Sequence, residues 1–563
     1  MRLSAPLAWL AAAALLILGF PAAAAAFGEY HPAPQYDEEV VTSFYLPMRD
    51  GTRIAVSLHR PSKDGKAVEA RLPVIWHNTL AIDAVGTGKP PAGLAGLASL
   101  TRQGYVVAVV ARRGNGASFG TRRGYEDLTE GFDAYEVTEW LAAQPWSDGK
   151  VGMFGCSNTG EAVMHAISAR PPHLAAAWAG CFAWDRFDGH TRGGIIAQFG
   201  TGPSRTVEQD LQTNPVQGDD ANTLLRQAAE EHQLSTNLLE LMKGMPYRDS
   251  YSTLVMSRFW YEVSLGAVAD QVKRAGVPLY IQGGWLDDFR TQGLVTMANL
   301  PGTRMLIGPW RHCRSEGFDL QSEQLRFFDY HLKGVDTGIA ADDPLHYFTM
   351  QGPMDGVWRS TRQWPLPAAK PTPVFLDGGK LTAKAGRGAT PFTVTYDTPC
   401  PAEPVGTFSV SCHPVGGVSF AQGPLKADAE ITGHPIADLW ITSSAPDANL
   451  FVFLEDVAPD GSVTVVTDGR QKASLRKLNP SPWPLLGLPW HRSWKEDAQD
   501  LKAGEPAQVT FDLLAASYVF KAGHRIQVTV AGADYRERAQ PRYTPAPTLR
   551  VLAKSSVSLP MMK

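Results

Sequence analysis

The stretch Gly155-Cys156-Ser157-Asn158-Thr159-Gly160 follows the apolar run Val151–Phe154 and precedes Glu161–Ala169, which reads as a helix. An apolar run that ends in small residues and opens a helix is the pattern of a strand–turn–helix corner. Glycine permits the tight turn that lifts a serine hydroxyl off the sheet. The following helix directs backbone N–H groups toward charge developing above it. Serine beside glycine is common in ordinary turns, so the fragment alone carries little weight.

Two further fragments supply that weight. Asp287 ends Gly284-Trp285-Leu286-Asp287 after the run Val277–Ile281, and His312 ends Gly308-Pro309-Trp310-Arg311-His312 after Met305–Ile307. Serine, then acid, then histidine is the chain order of α/β-hydrolases, unlike the orders of the chymotrypsin and subtilisin types. Buried parallel strands read as short apolar runs, and chemistry sits beyond their carboxyl ends. A serine hydroxyl needs a base to become a nucleophile. His312 is expected to take its proton, with Asp287 holding the imidazole tautomer. Asp288 is the rival acid; Asp287 is preferred as the first after the turn. His331 and His346 are alternative bases, in segments that read as helix and loop beyond the sheet. Arg112, Arg113, Arg122 and Arg123 could bind an acidic substrate, although a loop-bracing charge group is the preferred reading.

Around these fragments, strand-like and helix-like segments alternate. Pro73–Trp76, Tyr105–Val110, Val151–Phe154, Ala175–Phe182, Pro278–Ile281 and Met305–Ile307 read as strands, and Thr129–Gln144 has helical spacing. Such alternation predicts a parallel sheet with right-handed crossovers. Between about Asp188 and Arg274 the pattern is helical, in Leu224–Glu231, Leu238–Lys243 and Val263–Lys273. These helices are inserted upstream of the acid, where they would cover the site. After Trp364-Pro365, short alternating runs such as Leu439–Thr442, Leu450–Leu454, Val463–Val466, Gln508–Asp512 and Arg525–Val530 predict an antiparallel sandwich.

Length and composition set the outer bounds. At 563 residues the chain exceeds one core, and roughly two to four domains follow. A net charge of −4 offers no basic stripe for nucleic acid. Met1-Arg2, the apolar Leu7–Phe20, Pro21 and Ala22–Ala26 read as a secretory signal over residues 1–26. A membrane anchor needs about 20 apolar residues, and this run is shorter. A secreted or periplasmic location is therefore expected, with no membrane insertion once the signal is removed. Export makes disulfides possible. Cys400 and Cys412 are candidates for a local bridge, and Cys156, Cys181 and Cys313 read as small buried thiols. No Cys/His cluster has zinc-ligand spacing, and no cofactor is expected.

The same chain carries Arg113-Gly114-Asn115-Gly116-Ala117-Ser118-Phe119-Gly120, Glu139-Trp140 to Gln144-Pro145-Trp146-Ser147-Asp148-Gly149-Lys150, and the serine turn. It also carries Phe328-Asp329-Tyr330-His331-Leu332-Lys333-Gly334, Trp358 to Trp364-Pro365, Ile431-Thr432-Gly433-His434-Pro435 and Phe520-Lys521-Ala522-Gly523-His524-Arg525. Over nearly the whole mature chain it resembles the cocaine-esterase / X-prolyl dipeptidyl-peptidase-like (CocE/NonD) hydrolases. The resemblance implies an α/β-hydrolase core at 27–365 with a helical cap at about 188–274, and a jelly-roll β-sandwich at 366–563. It implies Ser157, Asp287 and His312 as the triad, in agreement with the residue-level reading.

Three departures from the family pattern stand out. Relatives carry an Arg-Thr-Pro-Tyr-like segment whose tyrosine completes the oxyanion hole. Here His77-Asn78-Thr79-Leu80-Ala81 stands there, with Ala81 where the tyrosine is expected. The Asn158 amide then needs another donor, with Asn78 preferred, His77 as the alternative, and a backbone N–H as the competing arrangement. Ala111 and Arg112 replace the usual aspartate before the Arg-Gly turn. Phe289 and Arg290 replace the extra carboxylates by which amino-acid ester hydrolases hold a substrate ammonium. The expectation is a serine hydrolase acting on a small ester, amide or short peptide. X-prolyl dipeptidyl peptidase activity is the alternative. An inactive binding protein using the β-sandwich is the non-enzymatic one.

Overall fold

The structure, a computed structural model, describes residues 25–81, 85–86, 97–124, 128–195, 205–397, 399, 412–534 and 542–563. Most of the expected signal, 1–26, lies outside the described residues. Within them no helix is long and apolar enough to cross a membrane.

Among the described residues, the part of the sheet that carries the site runs through β1 (Glu38–Pro47), β2 (Arg53–Lys63), β3 (Leu72–Thr79), β4 (Val106–Ala111), β5 (Ser147–Cys156), β6 (Leu174–Gly180), β7 (Leu279–Gly284), β8 (Arg304–Gly308) and β9 (Leu345–Gly352). Their spatial order is β1-β2-β4-β3-β5-β6-β7-β8-β9. The pairs from β4 through β9 are parallel, whereas β1–β2 and β2–β4 are antiparallel. β4 reads VVAVVA and is buried throughout, as a central strand covered on both faces must be. Alternate residues of β3 separate into the two layers: Val74 and Trp76 pack with Val137, Leu141, Val163 and Ile167. Ile75 packs with Trp178, Tyr280, Phe327 and Phe328 on the other face.

The six expected parallel strands all occur, displaced by a few residues at their ends. β1 and β2 are additional, and their residues explain why. Glu38, Glu39 and Thr42, then Arg53, His59 and Arg60, interrupt any apolar run, as befits an antiparallel ribbon at the edge. His346, expected in a loop, lies in β9. Leu345, Tyr347, Phe348 and Met350 are buried there, and β9 pairs with both β8 and the strand Asp355–Thr361.

Between β6 and β7 the regular elements among the described residues are short helices. Thr223–His232 and Leu238–Lys243 match expectation. The third expected helix, Val263–Lys273, is instead broken at Ser264, between Phe259–Val263 and Ala269–Ala275. The Ser264 hydroxyl donates to the Trp260 carbonyl at 2.6 Å and accepts the Arg186 N–H at 2.9 Å. That side chain competes for the backbone and ends the turn. Beyond Trp364 the chain is strand-rich and almost wholly antiparallel. Asn449–Val457 lies between Val463–Lys472 and Arg525–Ala531, and Ile436–Ser443 pairs with Ala507–Asp512.

The corner after β5 positions the serine. Ser157 has φ 64° and ψ −131°, and helix α2 (Asn158–Ala169) begins at the next residue; α1 (Leu128–Ala142) packs beside it. The turn closes so tightly that a Cβ on Gly155 would lie 2.2 Å from the Thr159 carbonyl oxygen, and one on Gly160 would lie 2.3 Å from that of Gly180. Backbone carbonyls cannot move aside as side chains can, so both positions require glycine. Gly160→Ala is therefore expected to destabilise by about 3 kcal/mol or more. Gly149→Ala, with open space around it despite φ +90°, should cost only about 1–2 kcal/mol. Urea unfolding midpoints check this ranking, and equal losses would contradict it.

Candidate active site

Asp287 and His312 leave neighbouring strands whose following loops are laced together by main-chain bonds. Trp285 N–H donates to the Gly308 carbonyl at 2.8 Å, and Leu286 N–H to the Trp310 carbonyl at 2.9 Å. This places wholly buried Asp287 against His312, whose Nδ1 lies 2.9 Å from Asp287 Oδ1. With the Nδ1 proton given to a carboxylate, Nε2 is left as the basic nitrogen. Asp288 turns elsewhere, its Oδ2 3.7 Å from the guanidinium of Arg470. The two rival histidines sit apart from this pair. His331 packs edge-on against Phe327, and His346 stacks on Phe27 at 3.9 Å. Burial lowers each to about 4, which leaves them neutral.

The cysteines depart from expectation. Cys156 and Cys313, expected as separate buried thiols, form a disulfide across a sequence separation of 157 residues. The corner after β5 and the loop after β8 converge, and no spacing in the sequence signals it. Cys181 is a free buried thiol as expected. Its Sγ accepts the Cys313 N–H at 3.4 Å, and burial, with Asp287 nearby, raises its thiol well above the usual range. Cys412 is disulfide-bonded, and Cys400, its expected partner, lies outside the described residues. Cys181, Asp287 and His312 hold potential metal-ligand atoms within 4.8 Å of one another. The Nδ1–Oδ1 hydrogen bond already engages the imidazole and carboxylate.

The arginines brace loops, as preferred from sequence. Arg113 pairs with Asp133 and Asp50, each at 2.7 Å, and Arg112 with Glu130 at 3.1 Å. Arg112 also donates to the Asn158 carbonyl, gripping the first turn of α2 from outside. His77 Nδ1 lies 2.9 Å from the Phe154 carbonyl oxygen, to which it donates. Burial lowers its pKa to about 4, so at neutral pH that single proton is committed and Nε2 has none to offer an oxyanion. Asn78 is buried at the end of β3 and shares a small cavity with Trp76, Arg112 and Glu130.

Two residues take positions that no sequence motif announces. Arg290, which stands where amino-acid ester hydrolases carry an extra carboxylate, is buried and engaged in the protein interior. It donates to the Asp287 carbonyl at 2.8 Å, to the Ala515 carbonyl at 2.6 Å and to Thr467 Oγ1 at 2.8 Å. The loop bearing the acid is thus pinned to the strand-rich carboxyl region. Glu161, buried in the first turn of α2, pairs with Arg186 and accepts the Ala183 N–H at 2.7 Å. No motif marks either role, because both partners are distant in sequence. Phe289 does face the site, its ring 5.7 Å from that of His312 and 6.5 Å from that of His190.

A serine at a strand–helix corner and a partly buried carboxylate–imidazole pair beyond neighbouring strand ends are the marks of an α/β serine hydrolase. Comparison with known proteins narrows the class. The X-Pro dipeptidyl-peptidase (S15 family) profile matches residues 50–314. The profile of the X-Pro dipeptidyl-peptidase C-terminal non-catalytic domain matches 337–554. A Mycobacterium tuberculosis protein provisionally named a serine esterase is 30% identical, over 94% of this chain and 96% of its own. Cocaine esterase of a Rhodococcus species is 26% identical, over 88% of this chain and 91% of its own. In fold, the chain is similar to a CocE/NonD family hydrolase of Staphylococcus aureus, with TM-score 0.71, 20% identity and 94% of each chain covered. It is similar also to an α-amino acid ester hydrolase, with TM-score 0.69, 21% identity and 97% and 99% covered. The chain belongs to the cocaine-esterase / X-prolyl dipeptidyl-peptidase-like (CocE/NonD) family of serine hydrolases.

Asp287→Asn should lower kcat by about 10⁴-fold, because an amide cannot hold the imidazole tautomer as a carboxylate does. Asp288→Asn should change kcat less than about tenfold, since its partner is Arg470. Steady-state kinetics on one chromogenic ester measure both, and the reverse ranking would move the acid to Asp288.

Proposed function

We propose that this chain is an exported hydrolase that cleaves a carboxylic ester or amide through an acyl-enzyme on Ser157. His312 Nε2 takes the Ser157 proton as Oγ attacks the carbonyl carbon, then delivers it to the leaving oxygen or nitrogen. Asp287 holds the imidazole and stabilises its cationic form. The first-turn amides of a helix lack intrahelical acceptors, which supports the Asn158 N–H as one oxyanion donor. We assign the second to Asn78, His77 being disqualified by its committed proton. Water activated by His312 then releases the acid. The observation that carries the proposal is the 2.9 Å Nδ1–Oδ1 bond between wholly buried Asp287 and His312.

Ester cleavage is favoured over removal of an X-Pro dipeptide. The wall beside His312 is Phe289, and the position after it, Arg290, is buried in the domain junction. Neither supplies a carboxylate for a free amino terminus. A Bacillus cereus protein provisionally named an Xaa-Pro dipeptidyl-peptidase matches 47% of the chain. Export is supported by the signal-like residues 1–26 and by disulfide-bonded cysteines.

A fluorophosphonate probe should label the protein, and Ser157→Ala should abolish both labelling and ester turnover without altering the fold. Retained labelling at the same rate would remove Ser157 as nucleophile. Asn78→Ala should lower kcat by about a hundredfold with little change in KM, since the bond forms chiefly in the transition state. An unchanged kcat would transfer the role to a backbone amide.

A further inference from the structure

We propose that the Cys156–Cys313 disulfide is a positioning element of the active site, a covalent tie that fixes the separation of Ser157 from His312 and makes turnover depend on its oxidation. The inference rests on the triad reading above. Cys156 immediately precedes the nucleophile and Cys313 immediately follows the base, so the bridge ties the two reacting residues through their next-door neighbours, whose Cα atoms lie 5.8 Å apart. Acid and base are already aligned by main-chain bonds from Trp285 and Leu286. Between the corner and the base loop the tie is covalent.

The surroundings direct the tie at His312. Cys313 has φ 56° and Cys181 φ 51°, both in the left-handed region that non-glycine residues avoid. The Cys313 N–H is held on Cys181 Sγ, and the three sulfurs lie within 4.8 Å of one another. The loop is therefore kept in a strained backbone state by a sulfur frame on one side and by Asp287 on the other. Cutting the bridge frees the loop to relax toward ordinary dihedrals, which would carry the imidazole away from Ser157. A displacement of about 1 Å in a catalytic group can cost about a hundredfold in rate. Cys156 and Cys313 are only part-buried, so a small reductant can reach them. Reduction takes two electrons and two protons from an external dithiol, which closes into its own disulfide and leaves two thiols here. Cys181, kept protonated by burial, is a poor nucleophile for exchange, so the bridge stays between Cys156 and Cys313.

The test uses the full-length oxidised enzyme, p-nitrophenyl acetate, and dithiothreitol as reductant. A non-reduced digest should contain the linked Cys156–Cys313 peptides, and their absence would overturn the proposal at once. Reduction should lower kcat about tenfold or more, with KM within about twofold and circular dichroism unchanged, and reoxidation should restore the rate. The Cys156→Ala/Cys313→Ala double variant should show the same lowered kcat and no further response to dithiothreitol, which separates this bridge from the one at Cys412. A kcat within twofold of the oxidised enzyme, in either form, would overturn the tie. So would a loss that appears only together with loss of folded signal. If the double variant does not fold, Cys412→Ala decides: with the other bridge already gone, its kcat should still fall about tenfold on reduction, and a kcat within twofold would overturn the tie. Activity in Ser157→Ala would overturn the triad reading itself; an inactive Ser157→Ala beside a fully active reduced enzyme would overturn only the tie.

Discussion

A non-glycine residue held at φ 64°, ψ −131° costs about 1–3 kcal/mol unless its surroundings compel it. Ser157 is compelled. Glycines at 155 and 160 let the chain fold back on itself, and the Ser157 N–H is fixed on the Gly180 carbonyl at 2.9 Å. The rest of the architecture serves that turn. β5 delivers it at the carboxyl edge of the sheet, α2 backs it, and β7 and β8 bring Asp287 and His312 to the same edge.

The second constraint is the junction between the sheet, the inserted helices and the strand-rich carboxyl region. Arg290 joins the Asp287 loop to Ala515 and Thr467, Arg192 donates to the Asp468 carbonyl at 2.6 Å, and Arg248 joins Asp185 to the Arg492 carbonyl. Buried ion pairs are weak evidence for stability, because desolvation offsets much of their attraction. What such groups do is fix geometry, since leaving any one unpaired is expensive. The carboxyl region thereby contributes to where Asp287 sits.

Reading the chain alone recovered what is local or periodic. Met305–Ile307 and Tyr105–Val110 are continuous apolar runs and announce buried parallel strands; the order of Ser157, Asp287 and His312 announces the class. The antiparallel strands β1 and β2 escaped because charged and polar residues share their length with apolar ones. The break at Ser264 escaped because one hydroxyl, not a glycine or proline, ends the helix. The Cys156–Cys313 bridge and the inward turn of Arg290 escaped for a different reason. Each joins positions far apart in sequence, and nothing short of the folded topology sets them side by side.

On the proposed mechanism Ser157 carries the acyl group between two half-reactions. Rapid quenching after mixing with p-nitrophenyl acetate, followed by mass mapping of peptides, tests it most directly. The account predicts one acetyl group per chain on the peptide containing Ser157, formed within the burst of nitrophenolate and then lost by hydrolysis. Turnover with acetyl found only on another residue, or turnover undiminished in Ser157→Ala, would contradict it.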